Sequence, residues 1–214
     1  MDQLKDRGAK PPLIIAGVDE VGRGALFGPV VAAAVILSAP TQLALAQAGV
    51  TDSKALTVER RAALYGQICA MGTCAIGLAS AAEIDQINIL QASLLAMRRA
   101  VARLTLQPTY CLVDGNQQIP GLNLPQKTMV KGDRRSLVIA AASIVAKVWR
   151  DRLIVRLAAK YPDYDLASNK GYGTPRHKAG LKTNGLTRYH RLSFSTCRAA
   201  LSSRANAERQ GRLF

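Results

Sequence analysis

The chain has 214 residues, of which 29 are Lys or Arg and 14 are Asp or Glu, so its formal charge at neutral pH is +15. A hydrophobic content of 49% excludes intrinsic disorder for most of the chain. The longest nearly apolar run, residues 29–37, is too short to cross a bilayer, and no apolar segment of the secretory type follows the charged first residues. We therefore expect a cytoplasmic protein without a membrane partner.

Short apolar runs and longer helical patterns alternate along the chain. In chain order they predict strands at 13–18 and 29–37, a helix at 58–71, a strand at 73–79, a helix at 83–104, strands at 110–113 and 127–130, a long helix at 136–160 and a further helix from Pro175. This order predicts one mixed α/β domain at 13–198, preceded by a flexible segment at 1–12 and followed by a basic tail at 199–214. Small residues at 140–143 suit close packing of the long helix on a sheet.

Cysteine usage bears on the redox compartment and on metal binding. Cys69, Cys74, Cys111 and Cys197 include no Cys-x-x-Cys pair and no Cys/His ligand spacing. This pattern argues against a disulfide scaffold and against a structural zinc site. We expect reduced thiols, most of them buried as small hydrophobic side chains.

The excess positive charge is concentrated in the last two-fifths of the chain. Residues 1–126 carry a net charge of +1, whereas residues 127–214 carry +14. Such asymmetry is typical of a surface that binds a polyanion, although a basic surface that serves only solubility would look the same. Because only 5% of the residues are aromatic, contacts to duplex phosphates and sugars are favoured over stacking of bases.

Four acidic residues stand where buried elements reach the surface. Asp19 and Glu20 end the first predicted strand, Asp114 ends another, and Asp133 precedes the long helix. Carboxylates that converge without basic partners repel one another, and a divalent cation removes that repulsion. Oxygen ligands favour Mg²⁺ or Mn²⁺ over zinc.

Each of these acids also has a simpler explanation. Asp114 precedes a glycine and suits an ordinary turn, and Asp133 could cap the following helix. Neighbouring side chains point to opposite faces of a regular strand, so Asp19 and Glu20 reach one site only if the strand ends or bulges at Glu20.

Several motifs, taken together and in order, resemble the ribonuclease HII family. They are Ala-Gly-Val-Asp-Glu-Val-Gly-Arg-Gly at 16–24, Gly-Pro-Val-Val at 28–31, Asp-Ser-Lys at 52–54, Glu-Ile-Asp at 83–85, Val-Asp-Gly at 113–115, Lys-Gly-Asp at 131–133, the helical run at 140–152, Lys-Gly-Tyr-Gly-Thr at 170–174 and His-Arg-Leu-Ser-Phe at 190–194. The series covers residues 13–195. Asn169 and Thr51 depart from the family pattern, in which histidine and asparagine are common at these places.

This resemblance implies an RNase H-like fold, with a mixed central sheet flanked by helices and a helical C-terminal extension. It also implies a monomeric endoribonuclease that acts on RNA/DNA hybrids and on ribonucleotides embedded in duplex DNA, with a role in removing them. The expected cut lies 5′ to the ribonucleotide and leaves a 3′-hydroxyl and a 5′-phosphate. Two ions, Mg²⁺ or Mn²⁺, are expected with the substrate.

Matched motif by motif, the catalytic and metal-binding positions fall on Asp19, Glu20, Asp114 and Asp133, with Asp151 as a rival for the fourth place. By the same match, Asp19 would bridge both ions, Glu20 and Asp114 would hold one of them, and the fourth carboxylate would hold the other.

The match also assigns substrate contacts. Gly22, Arg23 and Gly24 would read the ribose 2′-hydroxyl through their backbone, and Tyr172 would pack on the sugar at the RNA–DNA junction. The candidate phosphate contacts are Lys54, Ser143, Lys147, Arg188 and Arg191.

Two histidines and the C-terminus need separate interpretation. We expect His177 and His190 to be structural or to face solvent, because no acid–base partner is visible in the sequence. Gln210, Leu213 and Phe214 resemble the short peptides that dock on bacterial sliding clamps, and a frayed tail is the alternative.

Two other functions fit parts of the same pattern. A non-catalytic duplex-binding protein would use the basic half and need no metal, and its binding would be salt-sensitive. An RNase H-like nuclease of another kind, such as a junction resolvase, would keep the fold and change the substrate.

Overall fold

A computed structural model describes residues 12–210, with side chains through residue 202. Most of the predicted N-terminal segment 1–12 and the clamp-peptide residues Leu213 and Phe214 lie outside the described residues, as does the side chain of Gln210. The helices of the described part include none that is long and apolar enough to cross a membrane.

A five-stranded mixed sheet forms the centre of the molecule. Its strands are β1 Ile15–Val21, β2 Val30–Ile36, β3 Thr73–Ala79, β4 Tyr110–Asp114 and β5 Gln126–Met129. In space they run in the order β3-β2-β1-β4-β5, with β1–β2 and β2–β3 antiparallel and β1–β4 and β4–β5 parallel. The predicted mixed sheet is confirmed, with bounds shifted by a few residues.

Seven helices surround this sheet in the described part of the chain. They are α1 Ala39–Gln47, α2 Val58–Met71, α3 Ala81–Ala102, α4 Leu137–Ala158, α5 Leu166–Asn169, α6 Pro175–Asn184 and α7 Ser195–Gln210. The sequence analysis did not predict α1, nor the short helix α5 in a stretch interpreted as a loop. The predicted tail boundary at residue 198 lies inside α7, so residues 199–210 continue a helix.

The core has two layers, one on each face of the sheet. Along β2, Ala32 and Ala34 pack under α3, whereas Ala33 and Val35 pack with α4 and α2 on the opposite face. Successive side chains of a strand point to opposite faces of the sheet, and along β2 both of these faces are buried. A third cluster around Phe27 joins the C-terminal helices to the domain.

The small residues of α4 allow the helix to lie against β1, as predicted. A Cβ added at Gly17 would come within 2.3 Å of the Val138 carbonyl, so only glycine fits beneath the start of the helix. The segment from Ala140 to Ala142 is fully or almost fully buried. This close packing brings the next turn of α4, with Ser143, beside the ends of β1 and β4.

Candidate active site

A cavity of about 340 Å³ opens where β1 and β4 end. Its lining residues are Asp19, Glu20, Val21, Ser53, Lys54, Asp114, Ser143, Lys147 and Tyr172. Three of the four predicted metal ligands and four of the predicted substrate contacts are therefore brought together.

The strand itself explains how two adjacent acids reach one cavity. We expected β1 to end or bulge at Glu20, and this expectation is wrong: pairing with β2 continues in register through Asp19, Glu20 and Val21. Pairing with β4, by contrast, stops at Val18. The edge of β1 beyond Val18 is therefore free on the β4 side, which leaves space for both carboxylates beside Asp114.

The three carboxylates create an excess of negative charge. Burial raises the pKa of Asp19 well above its ordinary value, and the charges of Glu20 and Asp114 raise it further, while Ser143 and the Glu20 amide act in the opposite direction. Burial also raises the pKa of Glu20, with Asp114 adding to the shift and Arg23 opposing it. The ion pair between Arg23 and Glu20 is 3.4 Å long, and the Arg23 side chain is half exposed.

Asp133 lies near Asp114 but does not line the cavity. It is part of a 3₁₀ turn, Gly132–Arg134, whose Gly132 amide donates to Asp114 Oδ1 at 2.7 Å. Burial raises the pKa of Asp133, and the charges of Asp52 and Asp114 add to the effect. Asp114 therefore interacts electrostatically with Asp133 as well as with the acids of β1.

The rival carboxylate, Asp151, has a basic partner. Its Oδ1 lies 3.0 Å from Nζ of Lys147, one helical turn away on α4. This lysine contact explains the position of Asp151 without a metal ion.

These acids fit divalent cations by donor chemistry and by charge. All are oxygen ligands, and burial, together with the charges of neighbouring carboxylates, raises the pKa values of Asp19, Glu20 and Asp133, a cost that a bound divalent cation would offset. Among the described residues, no three His, Cys, Asp or Glu side chains form a ready-made metal cluster. Two of the acids accept backbone hydrogen bonds: Asp19 accepts from the Glu20 amide at 2.7 Å, and Asp114 accepts from the Gly132 amide at 2.7 Å.

Lys54 is positioned by the Asp-Ser-Lys turn. Asp52 accepts a hydrogen bond from the Lys54 amide at 2.9 Å and pairs with Arg134 at 3.1 Å. The Ser53 hydroxyl lies 2.8 Å from that of Ser143, which links this turn to α4. These contacts hold the exposed Lys54 side chain at the cavity rim.

The predicted ribose-reading segment belongs to a loop, residues 22–29, that we call the glycine loop. Gly22 has a φ of +88°, which favours glycine. The Gly22 and Arg23 carbonyls accept hydrogen bonds from the buried Arg191 at 2.7 and 2.8 Å. Because C=O and the following N–H point in opposite directions across a trans peptide, the amides of Arg23 and Gly24 point away from Arg191. Both residues are exposed, so these two amides face outward.

Tyr172 lies in a second loop, residues 170–174, that we call the tyrosine loop. A Cβ added at Gly24 would lie 4.0 Å from Cε1 of Tyr172, so the ring is next to the glycine loop. Asn169 is buried and holds the tyrosine loop, accepting from the Gly171 amide at 2.8 Å and donating to the Tyr164 carbonyl at 2.7 Å.

Arg191 corrects one prediction. It was a candidate phosphate contact, but it is fully buried and its guanidinium donates to protein carbonyls. The sequence shows that residue 191 is charged, but it does not show that the side chain is buried. Arg188, by contrast, is exposed and lies over the Tyr189 ring, away from the cavity lining.

The histidine prediction holds in its structural form. His177 and His190 are buried, with their Nε2 atoms 3.1 Å apart. Of the cysteines, Cys111 and Cys197 are buried, Cys74 is partly buried and Cys69 is exposed, and all are free thiols. The expectation that most thiols are buried is thus met by two of the four.

Comparisons with known proteins agree with the motifs. The family model described as ribonuclease HII matches residues 16–197. A relative named ribonuclease HII, from Trichodesmium erythraeum (strain IMS101), is 63% identical over 187 residues, which cover 87% of this chain and 89% of the relative.

Solved structures share the fold. Ribonuclease H2 from Pyrococcus horikoshii OT3 has a TM-score of 0.75 and 28% identity over 88% of this chain and 97% of its own. The RNase HII of Archaeoglobus fulgidus, solved in a PCNA:RNase HII complex, has a TM-score of 0.73 and 29% identity over 86% of this chain and 96% of its own. With the RNase H-like sheet and most of the family's motifs in place, the chain belongs to the ribonuclease HII family and is a ribonuclease H hydrolase.

Proposed function

We propose that this protein is an endoribonuclease that hydrolyses the RNA strand of RNA/DNA hybrids and cuts 5′ to ribonucleotides embedded in duplex DNA. The observation that carries the proposal is one cavity that Asp19, Glu20, Asp114 and the Tyr172 ring line together, beside the amides of the exposed residues Arg23 and Gly24 in the glycine loop. Carboxylates suit phosphodiester hydrolysis, while the amides and the ring suit recognition of a sugar. The biological role that follows is removal of ribonucleotides from DNA.

The proposed cofactor is a pair of Mg²⁺ or Mn²⁺ ions. Asp19, Glu20, Asp114 and Asp133 would hold them, with Asp19 shared because both Glu20 and Asp114 act on it electrostatically. When bound, such ions lower the pKa of an attacking water and stabilise the leaving oxygen. Asp133 is preferred over Asp151, since Asp151 is already paired with Lys147 and Asp133 is not.

Protein groups around the acids supply binding and orientation. Lys54 and Lys147 carry positive charge at the cavity, where they would hold the phosphates next to the scissile bond. The Ser143 hydroxyl lies near Asp19 and Ser53, which orients the carboxylate from the side of α4.

Sugar recognition would come from two adjacent loops. The amides of Arg23 and Gly24 can donate to a ribose 2′-hydroxyl, and glycine allows close approach because it has no Cβ. The Tyr172 ring would pack on the next sugar, where a deoxyribose fits better than a ribose because it carries no hydroxyl to desolvate. Together the loops would favour a ribonucleotide followed by a deoxyribonucleotide.

A cleavage assay on three labelled substrates tests the proposal. They are a DNA duplex with a single ribonucleotide, an RNA/DNA hybrid and an all-DNA four-way junction. We expect divalent-metal-dependent cuts in the first two, with a 3′-hydroxyl that a DNA polymerase extends. Cleavage of the junction alone would instead indicate a resolvase. Salt-sensitive binding without any cleavage would indicate a duplex-binding protein, and Asp19→Asn should abolish cleavage while sparing binding.

We also propose a sliding clamp as a partner, through Gln210, Leu213 and Phe214. The support is the peptide pattern, together with the solved PCNA complex of the Archaeoglobus fulgidus protein. Deleting Leu213 and Phe214 should abolish binding to a bacterial clamp in a pull-down and leave cleavage of naked duplex unchanged. Equal clamp binding by the full and shortened chains would refute this partner.

A further inference from the structure

Two arginines are completely buried directly beneath the substrate-facing loops. Arg150 of α4 and Arg191, which follows the buried His190, both have 0% relative exposure. Neither guanidinium forms an ion pair with a carboxylate in the part of the chain that the structure describes. Their charges repel each other, and this repulsion adds to burial in lowering the pKa of Arg191 to about 9. Both remain cations at neutral pH.

Backbone carbonyls surround these two cations. Arg191 donates from Nε to Gly28 at 3.0 Å, from Nη1 to Arg23 at 2.8 Å and from Nη2 to Gly22 at 2.7 Å. All three acceptors belong to the glycine loop. A buried charge with no counterion must be solvated by dipoles, and the loop conformation supplies them.

Arg150 connects the glycine loop to the tyrosine loop. Its Nη2 donates to the Phe27 carbonyl at 3.0 Å and its Nε donates to the Pro29 carbonyl at 3.1 Å, both in the glycine loop, whereas its Nη1 donates to the Lys170 carbonyl at 2.9 Å. The guanidinium carbon also lies 5.7 Å from the centroid of the Tyr172 ring. One rigid planar group is thus fixed to both loops at once.

The space around the pair leaves little freedom. A Cβ at Gly22 would come within 2.1 Å of Arg150 Nε, and a Cβ at Gly171 would come within 2.7 Å of the Phe27 carbonyl oxygen. The Leu26 amide donates to the Gly171 carbonyl at 2.8 Å, which ties the loops together a second time.

We propose that Arg150 and Arg191 are positioning residues that fix the glycine loop relative to Tyr172 and thereby set the sugar step at which the enzyme cuts. Arg191 turns two carbonyls inward and so turns the amides of Arg23 and Gly24 toward the substrate. Arg150 sets the spacing between those amides and the tyrosine ring. This inference rests on the proposed function, because it assigns the origin of its preference for an RNA–DNA junction.

The test compares Arg150→Lys and Arg191→Lys with the wild type and with a matched control, Arg99→Lys. Lysine keeps the charge but cannot donate to three carbonyls in fixed directions. Arg99 also donates to a backbone carbonyl, that of Leu78 at 2.8 Å, but it lies on α3 and its second partner is Glu83 at 2.7 Å, so both of these contacts lie outside the two loops. Thermal unfolding identifies the variants that remain folded.

The main measurement is the ratio of kcat/KM for a single ribonucleotide in duplex DNA to kcat/KM for an RNA/DNA hybrid. In Arg150→Lys we expect this ratio to fall by about tenfold toward unity, since a small misplacement of recognition groups has an effect of this order. In Arg99→Lys the ratio should equal that of the wild type. An unchanged ratio in a folded Arg150→Lys enzyme would overturn the proposal, and a wild type that cuts neither substrate would overturn the proposed function instead.

A second measurement does not depend on activity. Trypsin cleaves after Arg23, whose carbonyl Arg191 holds while its side chain is half exposed. In Arg191→Lys the Arg23 carbonyl loses this hydrogen bond, so the loop should open more often to the protease. Cleavage at this bond should then be about tenfold or more faster than in Arg99→Lys. Equal cleavage rates in the two variants would show that Arg191 does not fix the loop.

Discussion

Neutralising Asp19 should make the protein more stable in the absence of divalent cations while abolishing cleavage. Asp19 is 5% exposed, and burial together with the charges of Glu20 and Asp114 raises its pKa. Ionising this carboxyl therefore costs more free energy in the folded state than in the unfolded chain, which lowers the stability of the protein at neutral pH. Asp19→Asn removes that charge and retains a carbonyl oxygen that can accept from the Glu20 amide.

The expected gain is about 0.5–2 kcal/mol in the free energy of unfolding at pH 8, the range that a stabilising substitution commonly gives. For a protein of this size each kcal/mol corresponds to about 2–4 °C in Tm. The sign of the pH dependence follows from the raised pKa. Below the ordinary value of 3.8 the carboxyl is protonated in both states and the two proteins should converge. The gain then grows as the pH rises from 3.8 towards the raised pKa of the folded state, and it is complete above that pKa.

Thermal unfolding in EDTA, at pH 8 and near pH 4, measures this effect. The matched control is Asp151→Asn, in which the lost carboxylate was paired with Lys147 at 3.0 Å, so the same chemical change should lower or leave unchanged the Tm. Added Mg²⁺ should stabilise the wild type more than Asp19→Asn. A lower Tm for Asp19→Asn than for the wild type at pH 8 in EDTA would refute the electrostatic account of the site.

Three further outcomes follow from neighbouring groups. In the cleavage assay, Asp133→Asn should lower kcat/KM by about 100-fold or more, whereas Asp151→Asn should lower it by about fivefold at most; the reverse order would make Asp151 the fourth ligand. Because hydrogen bonding lowers the pKa of Cys69 to about 7 and burial raises that of Cys111 to about 11, iodoacetamide at pH 7.5 should label Cys69 first by mass spectrometry. Burial lowers the pKa of His190 to about 4, so at pH 5 the imidazole binds a proton in the unfolded chain but not in the folded protein. The free energy of unfolding measured in urea should therefore fall by about 2 kcal/mol between pH 7.5 and pH 5. This fall should be smaller in His190→Gln, and an equal fall in both proteins would contradict the assignment.

Elements with a clear period were predicted accurately from the sequence. The bounds of α2 and β3 agree residue for residue, because Gly72 interrupts the chain between them and Thr57 caps the helix. Helix α1 was missed because a single residue, Leu45, is buried in it, so its apolar residues form no stripe. The extension of β1 through Asp19 and Glu20 was missed because acids at a strand end look like the start of a loop.

In the candidate site, too, some residues were indicated by a local pattern in the sequence and others were not. Scarce acids at the ends of apolar runs indicated Asp19, Glu20 and Asp114, which the structure brings into one cavity. The signal for Asp133 was the motif alone, and its place near Asp114 depends on a 3₁₀ turn that no local pattern specifies. Sequence gives the type of a side chain and its neighbours along the chain, whereas the pairing that frees the edge of β1 is a property of the whole sheet.

The arginines show most clearly that residue type alone does not give a side chain's surroundings. A buried arginine adds as much to the net charge as an arginine that binds phosphate. The net charge of the basic half therefore overstates the positive surface that is available to a polyanion. Arg150 and Arg191 direct their donors to backbone carbonyls, and the amides of Arg23 and Gly24 then point away from Arg191. By the proposal above, the buried charge of Arg191 orients the neutral N–H donors of Arg23 and Gly24. Such donors can distinguish a hydroxyl from a hydrogen, whereas an exposed guanidinium would respond mainly to phosphate.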